Sequence, residues 1–264
     1  MNTPKASEKL EHIAELLKKH KPFTFIRFSD GEIEILRNRY LEINNGKTVF
    51  RGRIFDNVFP DFDKKLFDPK IHTHIRKDLL ESAMYRAENF IKGIPTSHNN
   101  ALIDREFMLR LNGGYTEEMS FSDLFLNSNY LKYRDTVVPL FSNYSSIYVV
   151  ANYRSRLTGC LSDAELIDIP DNFFNSYRAV KESLISRLEM IEEGSLVLSS
   201  ASSLSNVVGL ELSKIRQDIT FLDVGTSIND LFSLDNNTRQ YHSMNGNLAS
   251  KTKNIFSKGH KIKW

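Results

Sequence analysis

The chain carries one cysteine, Cys160, and one tryptophan, Trp264, among 264 residues. A single cysteine excludes an intrachain disulfide and fits a reducing cytoplasm. With no histidine partner evident in the sequence, Cys160 reads as a small buried or half-buried side chain. No stretch approaches the roughly 18 consecutive apolar residues that a membrane-spanning helix needs, and the amino-terminal residues lack the apolar core of a secretory signal. The expectation is a cytoplasmic protein, at most resting on the inner face of a membrane. Charge of one sign is also lacking: 35 Lys and Arg oppose 33 Asp and Glu, a net charge of +2. Such a balance excludes a protein whose main business is coating nucleic acid. With 7 prolines and 12 glycines, no segment is rich enough in either to divide the chain. It reads as one domain over residues 1–264, with a core over about 20–230 and a basic tail over about 245–264.

What is present is organised around Phe23-Thr-Phe-Ile-Arg-Phe-Ser-Asp-Gly-Glu32. Phe23, Phe25, Ile26 and Phe28 spell a buried strand, and Ile33 to Leu36 opens a helix. Arg27, Asp30, Gly31 and Glu32 fall between them, at the carboxyl end of a strand, where open α/β sheets bind ligands. On a helix, Asp30 and Glu32 would point about 200° apart. On an extended turn about Gly31 both carboxylates face one side and share a divalent cation, Mg²⁺ or Mn²⁺ by their hard oxygen chemistry. Arg27 supplies a fork of donors for a phosphate or a carboxylate. The same letters also spell a helix start, with Ser29 or Asp30 as N-cap and Glu32 in the first turn.

Pro4 to His20 is an amphipathic helix with Leu10, Ile13, Ala14 and Leu17 on one face. The helix after Glu32 runs to about Tyr40. Residues 44–69 read as loop, with a turn at Asn44-Asn-Gly46, an Arg51/Arg53 pair for an anion or for solvent, and Asp61 and Asp63 beyond. His72 and His74 are spaced poorly for two metal ligands on a helix and read as surface residues. Lys70 to Ile91 is a second long helix. Residues 95–130 are mixed, broken at Gly113-Gly114, and Tyr130 to Phe141 is a helix disturbed by Pro139. The aromatics of 121–133 look exposed, suited to an acceptor groove or a subunit interface in a homo-oligomer.

From Ser146 the rhythm is regular. Strands at Ile147–Ala151, Glu165–Ile169, Ser195–Ser199 and Ile219–Asp223 alternate with helices at Asn175–Ile191 and Leu204–Ile215. Apolar strands alternating with helices predict an α/β fold with a mainly parallel, Rossmann-like sheet flanked by helices. Three strand ends in this half carry polar residues: Arg154, Arg156, Gly159 and Asp163; the serine cluster 200–205 before a helix, a natural anion site; and Asp223-Val-Gly225. Each also has an ordinary structural use, as solvated arginines, a helix cap or a turn.

Arg27-Phe-Ser-Asp-Gly-Glu32 resembles the Arg-Phe-Gly-Asp-Gly-Glu signature of the GT-D type bacterial glycosyltransferases. The likeness continues in order through Tyr148-Val-Val with Ser155-Arg156-Leu157, Pro170 with Asn172-Phe-Phe-Asn-Ser-Tyr177, Val207 to Lys214, and Phe221-Leu-Asp-Val-Gly225. It covers roughly residues 20–230. Four positions depart from the pattern: Ser29 for a glycine, Ser202-Ser-Leu204 for Gly-Pro-Thr, Ala151 for an acid and Thr226 for a histidine. The resemblance implies a GT-D fold and a transferase moving a hexose from a UDP-sugar to a bacterial surface glycan, glycoprotein or lipid-linked glycan acceptor. It implies Mn²⁺ or Mg²⁺ on Asp30 and Glu32, with Arg27 beside them. It places Arg156, Ser202, Ser203, Asp223 and Gly225 at the nucleotide. Asp163 and Asp230 are the candidates for a base. The basic tail suits peripheral contact with anionic lipid, or a solvated end. The alternative is a non-catalytic nucleotide-sugar or phospho-ligand binding protein, and a metal-dependent phosphohydrolase stands third.

Overall fold

The computed structural model describes residues 5–44, 47–56, 64–96, 101–233 and 239–243. Its centre is a seven-stranded sheet in which every adjacent pair is parallel. The strands are β1 (Thr24–Arg27), β6 (Phe90–Ile94), β7 (Met119–Phe121), β8 (Ile147–Asn152), β9 (Glu165–Ile169), β10 (Leu196–Ser199) and β11 (Thr220–Asp223), in the spatial order β7-β6-β1-β11-β10-β8-β9. All residues of β1, β6, β10 and β11 are buried, which is why β1, β10 and β11 read as unalternating apolar runs. The edge strand β9 instead exposes Glu165 and Asp168, charges that blunt a free edge.

Helices cover both faces. On one side α1 (Ala6–Lys18) and α5 (Tyr130–Thr136) pack on Phe25, Val149, Leu198 and Leu222. On the other lie α2 (Asp30–Leu36), α3 (Thr73–Met84), α4 (Ala101–Leu111), α6 (Tyr177–Glu189) and α7 (Ser203–Ile215), over Ile26, Val150, Val197 and Phe221. Ten of the thirteen residues of α7 are buried, so this helix is the second centre of the fold. Gly209 lets it lie close: a Cβ there would come within 2.8 Å of Ile26 Cγ2 and 2.9 Å of Phe221 Cε1. The parallel α/β expectation is borne out, and so are the elements expected from Ile147 onward.

The first half differs in several places. Residues read as loop instead form a four-stranded antiparallel sheet, β4-β3-β2-β5, from β2 (Leu41–Asn44), β3 (Lys47–Phe50), β4 (Arg53–Phe55) and β5 (Lys65–Phe67). These strands are three or four residues long and half exposed, so they carry no readable alternation. Arg51 and Gly52 turn β3 into β4, both at positive φ (52° and 69°), as a type I′ hairpin requires. The helix expected to reach Tyr40 stops at Leu36, and Asn38 follows in the left-handed region (φ 58°). The helix expected over Lys70–Ile91 ends at Met84, where Tyr85 turns extended, and Phe90-Ile91 enters the sheet as β6. His72 is buried rather than exposed: its ring lies on Phe174, centroids 6.0 Å apart, and its Nδ1 accepts the Asp68 N–H at 2.9 Å. His74 is exposed. Phe125, Tyr130 and Tyr133 are buried in the α1 face, not presented to a partner. Cys160 is exposed rather than tucked away. Asp61, Asp63, the Asn45-Gly46 turn and the lysine-rich tail lie outside the described residues.

Candidate functional site

The carboxyl ends of β1 and β11 meet in a buried ion pair. Arg27 Nη2 donates to Asp223 Oδ1 at 3.0 Å, and the Arg27 backbone N–H donates to Oδ2 at 3.2 Å. The other guanidinium arm donates to the Ser122 carbonyl, and Asn206 on α7 donates to the Arg27 carbonyl at 2.7 Å. Arg27 is 7% exposed and Asp223 3%. Burial pushes the Asp223 carboxyl up to about 6, with the Arg27 charge and hydrogen bonds pulling the other way and Glu32 adding to the rise. Burial likewise disfavours charge on Arg27, but Asp223 more than offsets it and raises the guanidinium's proton affinity. Of the two uses expected for Arg27, a phosphate or a carboxylate, the structure shows the carboxylate.

Asp30 and Glu32 do not sit on an extended turn. Ser29 is the N-cap of α2, and both acids lie in its first turn. Ser29 with Glu32 three residues later is a capping-box pair, and it outcompetes the extended form that Gly31 would permit. Glu32 Oε2 accepts the Ser29 N–H at 3.0 Å, and Oε1 accepts the Ser202 hydroxyl at 3.1 Å. Glu32 therefore ties the β1 turn to the loop before α7. Asp30 takes a separate position, close to Arg51 of the β3–β4 turn and to Asp104 of α4. Burial pushes its carboxyl up to about 6; Arg51 opposes this, and Asp104, Glu32 and Glu34 add to it. Asp104 is itself held by Arg37 at 2.9 Å and by Arg51.

The charge of Glu32 adds to the raised pKa of both Asp30 and Asp223. Among the described residues no group of three His, Cys, Asp or Glu has the arrangement of a complete metal site. Asp30 and Glu32 lie two residues apart in the first turn of α2, with burial raising the proton affinity of Asp30; a hard cation held by both would take its remaining ligands from substrate phosphate and water.

Across the crevice, β10 leads into α7 through Ser202, which sits at φ 53° and ψ −141°, a costly conformation for a residue with a side chain. Ser205 Oγ accepts the Ala201 N–H at 3.2 Å and meets Ser199 Oγ at 2.8 Å. Ser203, 2% exposed, leaves its hydroxyl without a partner at the amino end of the helix. Gly225 (φ 49°) follows β11 directly against Arg27. Arg27, Asp223 and Gly225 are thus brought together, and so are Glu32 and Ser202; Asp30 and Ser203 lie in the first turns of α2 and α7. Arg156 stands apart from them: its side chain is exposed beyond β8, and its carbonyl accepts the Ser233 N–H. Arg154 pairs with Asp171 at 2.7 Å, and Asp163 is exposed beside Ser162.

Sequence reasoning missed a polar cluster beyond β11. Tyr130 donates to Asp230 at 2.6 Å, and Thr226 Oγ1 meets the Tyr241 hydroxyl at 2.6 Å. His242 Nδ1 accepts the Arg239 N–H at 2.8 Å, so Nε2 carries the proton and donates to the Thr226 carbonyl at 3.1 Å. Burial lowers the His242 pKa, with Asp230 working against it. No local spacing announces this cluster, because Tyr130 lies 100 residues from Asp230, and Thr226 lies 15 from Tyr241 and 16 from His242. Asn206 and Asp104 were missed as well, and polar residues set within apolar helical stretches were the available signal.

No helix among the described residues is long and apolar enough to cross a membrane. No protein-family model matches the chain, and no curated protein matches it. Solved structures do share its fold. One is a selenomethionine-substituted domain of unknown function 1792, 15% identical, with a TM-score of 0.53 over 86% of this chain and 84% of that one. Another is described as a new glycosyltransferase (DUF1792) from Streptococcus sanguinis, 16% identical, with a TM-score of 0.55 over 84% of this chain and 81% of that one. At these identities the likeness is one of fold.

Proposed function

We propose that this protein is a metal-dependent glycosyltransferase of the GT-D type. It moves a hexose of the glucose or galactose class from a UDP-sugar to a bacterial surface glycan, a glycoprotein glycan or a lipid-linked glycan, on the cytoplasmic side of the membrane. The observation that carries the reading is the pair Asp30 and Glu32 in the first turn of α2 after β1, with Glu32 tied by a hydrogen bond to Ser202 at the amino end of α7. The fold shared with a structure described as a glycosyltransferase supports it.

Asp30 and Glu32 would hold Mn²⁺ or Mg²⁺, which when bound supplies Lewis-acid stabilisation of charge on the leaving diphosphate. Glu32 is held in place by Ser29 and Ser202. Arg27 fixes Asp223 and so shapes the floor of the crevice. The unpartnered Ser203 hydroxyl and the α7 amino terminus offer donors to phosphate oxygens. In the transfer the acceptor hydroxyl bonds to the anomeric carbon as the bond to UDP breaks, and the hydroxyl proton passes to a base. Asp230, exposed and oriented by Tyr130, is the base proposed.

The rival reading is a phospho-ligand binding protein without turnover. It draws support from Glu32, both of whose carboxylate oxygens already accept hydrogen bonds. UDP release from UDP-glucose and UDP-galactose with Mn²⁺, with and without added glycan, separates the two. Metal-dependent release is expected; tight UDP binding with no release from any donor would leave only the binding protein.

A further inference from the structure

The turn Gly225–Leu231 leaves β11 and carries both Gly225 and Asp230, and it is tethered at three points. At its far end the Leu231 carbonyl accepts the Thr158 N–H at 2.9 Å and the Thr158 hydroxyl at 3.0 Å. Next to that, Asp230 accepts the Tyr130 hydroxyl at 2.6 Å. The start of the turn is held from another part of the chain. Thr226 Oγ1 meets the Tyr241 hydroxyl at 2.6 Å, and the Thr226 carbonyl accepts the His242 Nε2–H at 3.1 Å. Both partners belong to the short helical segment Gln240–Ser243, so one segment grips the side chain and the main chain of one residue.

Ring packing seats that segment. Tyr241 is 7% exposed, and its ring centroid lies 5.0 Å from Tyr130 and 4.5 Å from His242. The His242 ring stands edge-on to Tyr130, also at 5.0 Å. Tyr130 thus touches both Asp230 and the segment that grips the turn. A single helical turn has no stability of its own, so these contacts and the Thr226 bonds keep it in place.

The two His242 bonds need a neutral ring. Nδ1 accepts the Arg239 N–H at 2.8 Å while Nε2 donates; an imidazolium carries a proton on both nitrogens and accepts nothing. The titratable and charged groups around the ring are Asp230 of the turn, Tyr130 of α5, and Arg239 and Tyr241 of its own segment. Burial disfavours the imidazolium, Asp230 and the Thr226 carbonyl favour it, and Arg239 disfavours it. A released His242 takes up a proton as pH falls below the ordinary 6.5, and the gripped one resists. The grip is therefore complete above that pH and weakens below it.

We propose that Tyr241 and His242 are positioning residues: through Thr226 they fix the turn that carries Asp230, and His242 makes the grip sensitive to pH. That the fixed carboxylate is the base of a transfer rests on the transferase reading; the grip itself does not.

The test is hydrogen exchange read by mass spectrometry on the full chain, comparing wild type, Tyr241→Phe and His242→Gln at about pH 7.5 and about pH 5.5, with rates normalised to the unfolded chain. In wild type the protection of Gly225–Leu231 should drop about tenfold at the lower pH, one unit below the ordinary histidine value. His242→Gln should be less protected than wild type at the higher pH and should lose the pH dependence. Tyr241→Phe, which keeps the ring, should lose about fivefold to tenfold at both pH values and keep the dependence. Helix α7 should exchange as in wild type in both variants. Equal protection of the turn in all three proteins overturns the proposal. So does a pH dependence that persists in His242→Gln, or a loss that spreads to α7. Where wild type releases UDP from a donor, kcat should fall at least about fivefold in both variants; full kcat on a loosened turn removes the positioning role. If the exchange pattern holds and wild type turns over no donor, the grip stands and the transferase reading falls.

Discussion

Gly225 and Arg27 compete for one small volume at the floor of the crevice. A Cβ on Gly225 would collide with Nη2 of Arg27 and lie 2.8 Å from its Cζ, and Gly225 sits at φ 49° besides. Arg27 cannot withdraw, because that nitrogen donates to Asp223. Gly225→Ala therefore meets a backbone penalty and an overpacking penalty together, at least about 2 kcal/mol. Urea unfolding should show that loss, and UDP affinity should fall with it. Wild-type stability in this variant would mean that Arg27 does not hold the position described.

Removing one partner of the buried pair should cost more than removing both. Arg27→Met leaves Asp223 buried without its counter-charge, at a cost of about 3–5 kcal/mol. The double variant Arg27→Met, Asp223→Leu should recover much of that loss. Equal losses in the single and double variants would argue against a coupled pair. Denaturant midpoints measured at constant m-value decide it.

Asp30 gives a pH signature. Its carboxyl titrates at about 6 in the folded protein against an ordinary 3.8, so between these values the native state holds a proton that the unfolded chain has released. Its favourable contribution is complete below about pH 4 and is lost as pH rises through about 6. Without metal, Asp30→Asn should raise Tm by about 5 °C at pH 7.5 and leave it unchanged at pH 4. Mn²⁺ should stabilise only the wild type, and its affinity should rise through pH 6 as Asp30 deprotonates. A pH-independent difference between the two proteins would contradict this assignment.

Ser203 separates stability from binding. Its buried hydroxyl has no partner, so Ser203→Ala should leave Tm unchanged or slightly raised. UDP affinity, in contrast, should fall about fivefold to tenfold as a phosphate donor is lost. Calorimetry and a melt on the same sample give both numbers, and unchanged affinity would remove Ser203 from the site.

The parallel sheet was legible because its central strands are covered on both faces: Leu196–Ser199 and Thr220–Asp223 read as buried runs for the same reason that they are buried. The Asp30–Glu32 motif was legible as chemistry and, in its helix-start reading with Ser29 as N-cap and Glu32 in the first turn, as geometry; the extended turn was the reading that failed. A capping box, written in the same residues, set both acids on a helix. The β2–β5 sheet was not legible, since strands of three and four residues carry too little pattern, and its Arg51–Gly52 turn lacks the usual Asn-Gly signal. His72 looked like a surface residue because its partners Phe67 and Phe174 are brought to it by the fold rather than by spacing. Tyr130–Asp230 was out of reach for the same reason, its partners lying 100 residues apart.

The measurement that bears most directly on the central claim is a calorimetric titration of UDP into wild type and Asp30→Ala, with and without Mn²⁺. The account predicts that UDP binds the wild type tightly only when Mn²⁺ is present, and that the variant loses this dependence together with most of the affinity. Equal UDP binding by both proteins, with or without metal, would contradict a metal site on Asp30 and leave the α/β fold without its proposed chemistry.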